Sequence, residues 1–169
     1  MLRRENLRFE LAKQAGIAQI KGISNASKEL ENGEVAERQA RAAKMRLASL
    51  NVPVQIQSEY QETLSTGSGI VLWALCDDNS RIGADALGDR GKRSEDVGAE
   101  AAGKLLAELK SGAAVDRHLA DNLIPFLALA GGTIKVSEIT PHTLTNIYAV
   151  EQFLGKCFEI DKENRIVRA

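Results

Sequence analysis

The sequence predicts an α/β (α+β) fold, because two kinds of apolar periodicity alternate along its 169 residues. Small and apolar residues recur at helical spacing over 34–50 and again over 94–110. Between these two helices, 52–60 alternates apolar and polar residues, and 70–76 is apolar throughout. Those patterns are typical of a half-buried strand and of a strand that is buried on both faces.

The elements around these stretches complete the first part of the chain. Alternating apolar and charged residues predict a short leading strand over 7–11, and bulky isoleucines predict a strand over 15–23. Asn32 is the candidate N-cap of the first helix, and Ser94 is that of the second. Residues 81–87 are predicted to form the next strand. The order after the leading strand is therefore βαβββα.

The last third of the chain predicts a second group of elements. These are a helix over 114–130, a strand over 133–138, a helix ending near Leu154, and a hairpin of 156–160 with 165–168. Pro125 should kink the first of these helices, because proline lacks the backbone N–H that a helix uses. We therefore expect two domains: an α/β domain with its flanking strand over 1–110, and a second domain over 111–169.

Composition narrows the classes of function. The 22 basic and 23 acidic residues give a net charge of −1, which excludes a polycation that captures nucleic acid by its overall field. Two cysteines without a CxxC motif support neither a disulfide framework nor a zinc site. The chain has few aromatic residues, so a surface that binds single-stranded nucleic acid mainly by base stacking is a poor explanation of its function. We expect a cytoplasmic protein without a membrane partner, because no apolar run approaches the roughly 18 residues of a membrane span.

Only two histidines occur, so each is a candidate for chemistry. His142 follows Pro141 at the expected start of the last helix, with Thr143 and Thr145 as candidate N-caps. The unpaired N–H groups of a helix start can hold a phosphate, and a neutral imidazole beside it could attack phosphorus. The competing interpretation is a histidine that caps a loop or satisfies its hydrogen bonds.

The other histidine lies on the helix predicted over 114–130. Its polar face carries His118, Asp121, Asn122 and Pro125. The opposite face should bury Val115, Leu119, Leu123 and Leu127. Asp121 can accept hydrogen bonds or hold a metal-bound water, and Asn122 can both donate and accept. A solvated helix face explains the same pattern.

Two basic features are less specific. The glycine-rich loop over 88–93 lacks the spacing of a phosphate-binding P-loop, and a plain connector explains it equally well. A basic face on the first helix could contact RNA phosphates or could simply face solvent. That face comprises Arg38, Arg41, Lys44 and Arg46.

Three segments carry a family resemblance. They are Leu87-Gly88-Asp89-Arg90-Gly91-Lys92, His118-Leu119-Ala120-Asp121-Asn122 and Pro141-His142-Thr143-Leu144-Thr145-Asn146. In order and spacing they resemble the C-terminal half of the RNA 3′-terminal phosphate cyclases. The likeness extends over essentially the whole chain. It implies that 1–110 holds an inserted α/β domain, similar to a thioredoxin-like unit without CxxC. The region 111–169 would be the C-terminal part of the catalytic domain, a piece of its β-sheet and two-helix repeat.

The resemblance also implies a reaction, in which ATP drives conversion of an RNA 3′-phosphate into a 2′,3′-cyclic phosphate. His142 stands at the histidine of the family's H-x-x-T-N motif, which carries a covalent AMP. The H-x-A-D-Q motif, which helps to bind ATP, maps onto His118, Leu119, Ala120, Asp121 and Asn122, with asparagine replacing the glutamine. Mg²⁺ would accompany the nucleotide, and RNA 3′-phosphate ends would be the partners.

Family members are about twice as long as this chain, so the resemblance predicts weak or no activity from the chain alone. A separate N-terminal half or a second copy could complete the site. Two alternatives stay open. One is a non-catalytic, cyclase-like RNA-binding module. The other is an assembly module in which two half-length chains pair.

Overall fold

The computed structural model describes residues 8–169 and divides them into two compact units. One unit spans 15–110, and the other joins 8–14 to 111–169. Each contains a four-stranded mixed sheet with helices, which confirms the α+β prediction. Leu7 and the polar start of the chain lie outside the described residues. None of the helices within 8–169 combines the length and apolar character that crossing a bilayer requires.

The structure sets the bounds of the helices and strands. In chain order they are β1 (Phe9–Leu11), β2 (Ile17–Ser27), α1 (Val35–Leu47), β3 (Val54–Gln61), β4 (Ser68–Cys76), β5 (Arg81–Leu87), α2 (Ser94–Lys110), α3 (Arg117–Ala130), β6 (Gly132–Lys135), α4 (Pro141–Leu154), β7 (Glu159–Asp161) and β8 (Ile166–Arg168). Short 3-10 helices over Lys28–Gly33 and Ala48–Leu50 flank α1.

The unit of residues 15–110 has the predicted βαβββα order. Its strands are arranged β3-β2-β4-β5, with β3 parallel to β2 and the other neighbours antiparallel. Alternate strand residues, such as Ile20, Leu72 and Ile82, form one buried cluster with apolar residues of α1 and α2. Because strand side chains alternate between the two faces, both helices cover the same face of the sheet.

Helices α1 and α2 approach each other closely where glycine replaces a side chain. A Cβ built on Gly98 would lie 2.0 Å from the backbone oxygen of Gln39. The Gln39 side chain is fully buried and accepts a 2.8 Å hydrogen bond from the Ser24 hydroxyl while donating one of 2.9 Å to Ser68. Helical periodicity places apolar residues in this core, so it does not predict a buried glutamine.

The start of α1 differs from the prediction. Asn32 is not the N-cap, because it belongs to the 3-10 helix that precedes α1. The cap position is Glu34, whose φ of 50° turns the chain directly from the 3-10 helix into α1 without a side-chain cap. Ser94 is the first residue of α2 rather than the residue before it, and Arg93 O accepts the first hydrogen bonds of that helix.

The second unit includes a strand that the sequence-based division placed elsewhere. Strand β1 pairs in parallel with β6, in a sheet of order β1-β6-β8-β7. Beyond the end of β1, Val115 forms a parallel bridge with Val136 on the same side of that segment. Residues 8–14 therefore belong with 111–169 and not with 15–110. Local patterns cannot show this, since the pairing joins residues far apart in sequence.

Helix α3 buries most of the predicted face, since Val115 and Leu127 are buried and Leu123 packs against the same core, but Leu119 does not belong to it. Its buried residues are Ala120, Ile124 and Leu127, whereas Leu119 is 39% exposed. The buried stripe is centred on Ala120, Ile124 and Leu127, and Leu119 lies about 100° around the helix from Ala120, at the margin of that stripe. Pro125 lies inside α3, and the helix continues past it to Ala130.

Ion pairs that involve residues of α1 and α2 make the stability of the folded chain depend on pH. Arg38 binds Glu95 through two hydrogen bonds of 2.9 Å and holds the pKa of Glu95 at about 2. Lys104 and Lys92 lower the pKa of Glu100 to about 2 in the same way. Both groups have a lower pKa in the folded chain than when unfolded, so their contribution is complete above the unfolded value, about 4.3.

We therefore expect the urea midpoint of unfolding to fall as the pH decreases from about 4.3 toward 2. Replacing both carboxylates, with Glu95→Gln and Glu100→Gln, should lower the midpoint at pH 7 and flatten this acid dependence. Glu62→Gln, in an exposed loop, is the matched control and should leave the profile unchanged. An equally steep profile in the double variant would contradict the prediction.

Candidate functional site

His142 is the second residue of α4 and is exposed. Thr140 caps this helix by accepting a 3.1 Å hydrogen bond from the backbone N–H of Thr143. Pro141 occupies the first helical position, where its missing N–H costs nothing. The histidine is therefore held at the helix start by a rigid cap and proline, with its ring in reach of solvent.

The prediction that Thr143 or Thr145 caps α4 is wrong, because the N-cap is Thr140. Thr143 is fully buried, and its N–H points back to Thr140. Thr145 donates its hydroxyl hydrogen to the Pro141 carbonyl at 2.8 Å. Threonine precedes proline here, and a residue before proline prefers the extended backbone that an N-cap requires, which favours Thr140.

The start of α4 offers an anion fewer donors than a bare helix end. Pro141 has no N–H, Thr143 N–H is used by the cap, and Leu144 N–H donates to Thr140 O at 3.1 Å. Among the described residues, the His142 N–H is left for a ligand at this helix start. The helix dipole still favours negative charge here, but a polyphosphate needs further donors from elsewhere.

The second motif occupies the first turns of α3. Asp116 caps this helix, accepting from the N–H groups of His118 and Leu119 at 2.9 and 2.8 Å. The side chains of His118 and Asn122 are exposed, and Asp121 is partly exposed. Asn122 donates to the His118 carbonyl at 2.8 Å, so its amide nitrogen is bound to its own helix. The same nitrogen also donates to Asp121 Oδ1 at 3.2 Å, so both of its hydrogen bonds stay within α3.

A side-chain hydrogen bond brings the two histidine motifs together. Asn146 Nδ2, in α4, donates to the Asp121 carbonyl in α3 at 3.0 Å. Both residues lie in the first halves of their helices, so the contact joins the two segments that carry the histidine motifs. The third segment, 87–92, belongs to the other unit, where Lys92 Nζ binds Glu100 and the Leu87 carbonyl.

The loop before α4 is braced by two residues that sequence reasoning missed. Arg165 donates to the Ser137 carbonyl at 2.8 Å and to the Ser111 carbonyl at 3.3 Å. Glu138 forms a 2.9 Å ion pair with Arg117, the first residue of α3. This ion pair ties the start of α3 to the loop that leads to His142. No local pattern marks these residues, because their partners are distant in sequence.

The other reactive groups do not form a competing site. Within residues 8–169, no cluster of three or more His, Cys, Asp or Glu side chains could hold a metal ion. Mg²⁺ usually binds through one or two carboxylates together with substrate phosphates, and the partly exposed Asp121 is the carboxylate on this face of α3 that could contact it. Burial and then the nearby Glu151 raise the pKa of the Cys157 thiol, which makes it a weak nucleophile at neutral pH.

The bond from Asn146 to Asp121 has a measurable consequence. We expect Asn146→Ala to lower the free energy of unfolding by about 1 kcal/mol, because it leaves a carbonyl between two helices without its partner. Asn122→Ala is the matched control, since its amide also binds a backbone carbonyl but within one helix. Urea unfolding of the two variants should separate them, and equal losses would contradict a joining role for Asn146.

Comparison with known proteins gives one consistent family. A family model for the insert domain of RNA 3′-terminal phosphate cyclase (RTC) matches residues 13–110. An RNA 3′-terminal phosphate cyclase of Pyrococcus abyssi is 52% identical over 160 residues, which are 95% of this chain and 46% of that protein.

Two further relatives with the same name give similar figures. That of Thermococcus onnurineus is 56% identical over 143 residues, which are 84% of this chain and 41% of the relative. That of Methanosarcina barkeri is 47% identical over 145 residues, which are 85% of this chain and 42% of the relative. The chain thus spans less than half the length of these curated relatives.

Proposed function

This chain belongs to the RNA 3′-terminal phosphate cyclase family, and from that premise we propose that it supplies part of an enzyme that cyclises RNA 3′-phosphate ends with ATP. The observation that carries the proposal is the hydrogen bond between Asn146 and Asp121. It joins the two helices that bear the motif residues, with the exposed His142 at the start of one of them. Such a site can present an imidazole beside a bound nucleotide.

His142 would act as the nucleophile. Its ring nitrogen attacks the α-phosphorus of ATP, an N–P bond forms, and the bond from that phosphorus to the bridging oxygen breaks to release pyrophosphate. The AMP then passes from His142 to an oxygen of the RNA 3′-phosphate. The neighbouring 2′-hydroxyl attacks the activated phosphorus, loses its proton to solvent and expels AMP. Covalent catalysis of this kind divides one difficult substitution into easier steps.

The motif on α3 would hold the nucleotide. Leu119 is partly exposed, because α3 packs through Ala120, and it can contact the adenine ring. The Asp121 carboxylate can accept from ribose hydroxyls or contact Mg²⁺, which would neutralise phosphate charge. Asn122 offers its amide oxygen, one methylene nearer to the helix than the family's glutamine, so a bridging water would restore the reach.

The negative charge of a triphosphate needs several cationic side chains and N–H donors, and the described part of this site offers few of them. Arg117 is paired with Glu138, and the helix start keeps the single N–H of His142. We propose that another segment of the polypeptide, a separate chain or a second copy supplies the remaining phosphate contacts. The reaction would take place in the cytoplasm, where Cys76 and Cys157 stay reduced.

Labelled ATP tests this function. The chain is incubated with Mg²⁺ and ATP labelled at the α-phosphate, alone and mixed with the N-terminal part of the Pyrococcus abyssi relative. We expect label that survives denaturation, chiefly in the mixture, and none from ATP labelled at the γ-phosphate, because pyrophosphate leaves. RNA with a 3′-phosphate should discharge the label, whereas RNA with a 3′-hydroxyl should not. Absence of label from both samples would reject the proposal.

One observation favours the alternative of a non-catalytic module. The cap and proline of α4 leave few donors for phosphates at the helix start. If the mixture binds RNA but neither binds ATP nor acquires label, the chain is a cyclase-like RNA-binding or assembly module. The same labelling experiment therefore decides between the two functions.

A further inference from the structure

The segments that lead into α3 and α4 lie side by side. We call residues 111–116 the α3 lead-in and residues 136–140 the α4 lead-in. Val115 in the first forms a parallel bridge with Val136 in the second. Each lead-in ends at the N-cap residue of its helix. The separation of the two lead-ins therefore governs the separation of the two helix starts that carry the histidine motifs.

Arg165 contacts both lead-ins from the turn between β7 and β8. Its guanidinium donates to the Ser137 carbonyl at 2.8 Å and to the Ser111 carbonyl at 3.3 Å. Its own backbone carbonyl accepts a 2.9 Å hydrogen bond from the N–H of Val136. A guanidinium carries its N–H donors in a rigid planar fork, so one arginine can hold two carbonyls at a fixed distance. Arg165 thus binds the α4 lead-in through backbone and side chain, and the α3 lead-in through the side chain.

The backbone of Arg165 has a conformation that arginine disfavours. Its φ is 57°, in the left-handed region, and it is the last residue of the four-residue turn over 162–165. Glycine is the usual residue at such a position, because a Cβ makes the left-handed region unfavourable. A strained residue whose side chain makes defined contacts points to a role for that side chain. Glycine would relieve the strain, but it could not bind the two carbonyls.

The other link between side chains of these segments is weaker. Arg117, which follows the α3 lead-in, pairs with Glu138 at 2.9 Å, but both side chains are exposed. Solvent screens such an ion pair, so it contributes little. Arg165 is partly buried, and within residues 8–169 its guanidinium binds two neutral carbonyls and no acidic side chain. The part of the separation that depends on side chains therefore rests mainly on Arg165.

We propose that Arg165 is a positioning residue, which holds the starts of α3 and α4 at the separation that lets His142 meet a nucleotide bound by the α3 motif. The catalytic part of this inference rests on the proposed function, whereas the clamp between the lead-ins does not. Attack on phosphorus needs the nucleophile aligned at contact distance, and a displacement of about 1 Å can lower the rate on the order of a hundredfold. Arg165 acts on this alignment through the backbone of the lead-ins.

Hydrogen exchange of the full chain, without ATP, tests the clamp. Arg165→Gly removes the guanidinium and relieves the strained φ, so the urea midpoint should change little. Amide exchange measured by mass spectrometry should nevertheless become severalfold faster in peptides from both lead-ins, because their shared contact is lost. Arg165→Asn should act in the same way, since asparagine tolerates the left-handed region but is too short to reach the carbonyls. It keeps the test decisive if the glycine variant fails to fold.

Arg168→Gln is the matched control for hydrogen exchange. It removes another arginine of the same hairpin, whose partner is Glu159, and should leave exchange in both lead-ins unchanged. Arg165→Lys should give an intermediate result, because a single ammonium cannot span the two carbonyls as a guanidinium does. Unchanged exchange in Arg165→Gly, or faster exchange confined to the turn over 162–165, would overturn the clamp.

Labelling with ATP that carries label at the α-phosphate tests whether the clamp serves the reaction. The chain is mixed with the N-terminal part of the Pyrococcus abyssi relative. Arg165→Gly should lower the maximal labelling rate roughly tenfold or more, with a smaller change in the ATP concentration for half-maximal rate. An unchanged maximal rate would overturn the positioning role. If the parent mixture acquires no label, the proposed function fails, and hydrogen exchange separately decides whether Arg165 holds the lead-ins.

Discussion

Replacing His142 with alanine should abolish the covalent label that ATP labelled at the α-phosphate leaves on the protein. In the proposed mechanism the substitution removes the atom that would form the bond to phosphorus, so no increase in ATP concentration could compensate. Loss of a catalytic nucleophile commonly lowers the rate on the order of a thousandfold or more. Because the side chain is exposed at the start of α4, the fold should be unaffected. The measurement is retained radioactivity after denaturation, over a series of ATP concentrations.

His118→Ala provides the matched control, since it removes the other histidine from the neighbouring helix. A residue that only helps to bind ATP should raise the ATP concentration needed for half-maximal labelling and leave the maximum largely intact. Both variants should unfold at the same urea concentration as the parent chain. Label that persists in His142→Ala, or that disappears in His118→Ala at saturating ATP, would contradict the assigned roles.

The largest expected loss of stability comes from adding one methyl group between α1 and α2. In Gly98→Ala the new Cβ would lie 2.0 Å from the Gln39 backbone oxygen, a distance that real contacts do not reach. Backbone cannot move aside as a flexible side chain can, so the helices must separate and weaken the core over a wide area. We expect the free energy of unfolding to fall by about 3 kcal/mol, measured by urea denaturation.

Gly103→Ala is the control, because it makes the same change on the same helix. Its Cβ would meet the Arg46 guanidinium at 3.4 Å, an ordinary contact with a flexible group. Alanine also favours the helical state over glycine by about 1 kcal/mol. This variant should be neutral or more stable than the parent, and a loss equal to that of Gly98→Ala would show that close helix packing is not the cause.

Much of the fold follows from periodicity, because burial of one face imposes it. The strand over 81–87 has the predicted bounds, the second helix ends at Lys110 as predicted, and the βαβββα order holds. Predictions based on single side chains were less successful. Asn32 is a good cap by type, but the backbone turns at Glu34 instead. Leu119 is apolar, yet it lies at the margin of the buried stripe that is centred on Ala120, Ile124 and Leu127.

The candidate site was predictable only in its parts. The sequence motifs mark His142, which was expected at a helix start, and the segment from His118 to Asn122, which was expected on the helix over 114–130 and lies in its first turns. The hydrogen bond from Asn146 to Asp121 depends on the packing of α3 and α4, which no local pattern describes. Arg165 is further still from the motifs and acts through two backbone carbonyls.

The pairing of two separate segments along the same edge of β6 has a consequence for the topology. Leu11 in β1 pairs with Ile134 in β6, and Val115 pairs with Val136 two residues farther along. The segment around Val115 therefore continues the edge that β1 begins, although 15–110 separate the two segments in sequence. The 15–110 unit thus interrupts what would otherwise be one edge strand. Once that unit has folded, its two ends are joined by a compact body instead of a long random loop, which lowers the entropic cost of closing the edge. Assembly of the unit formed by 8–14 and 111–169 should therefore be easiest after the intervening unit has formed.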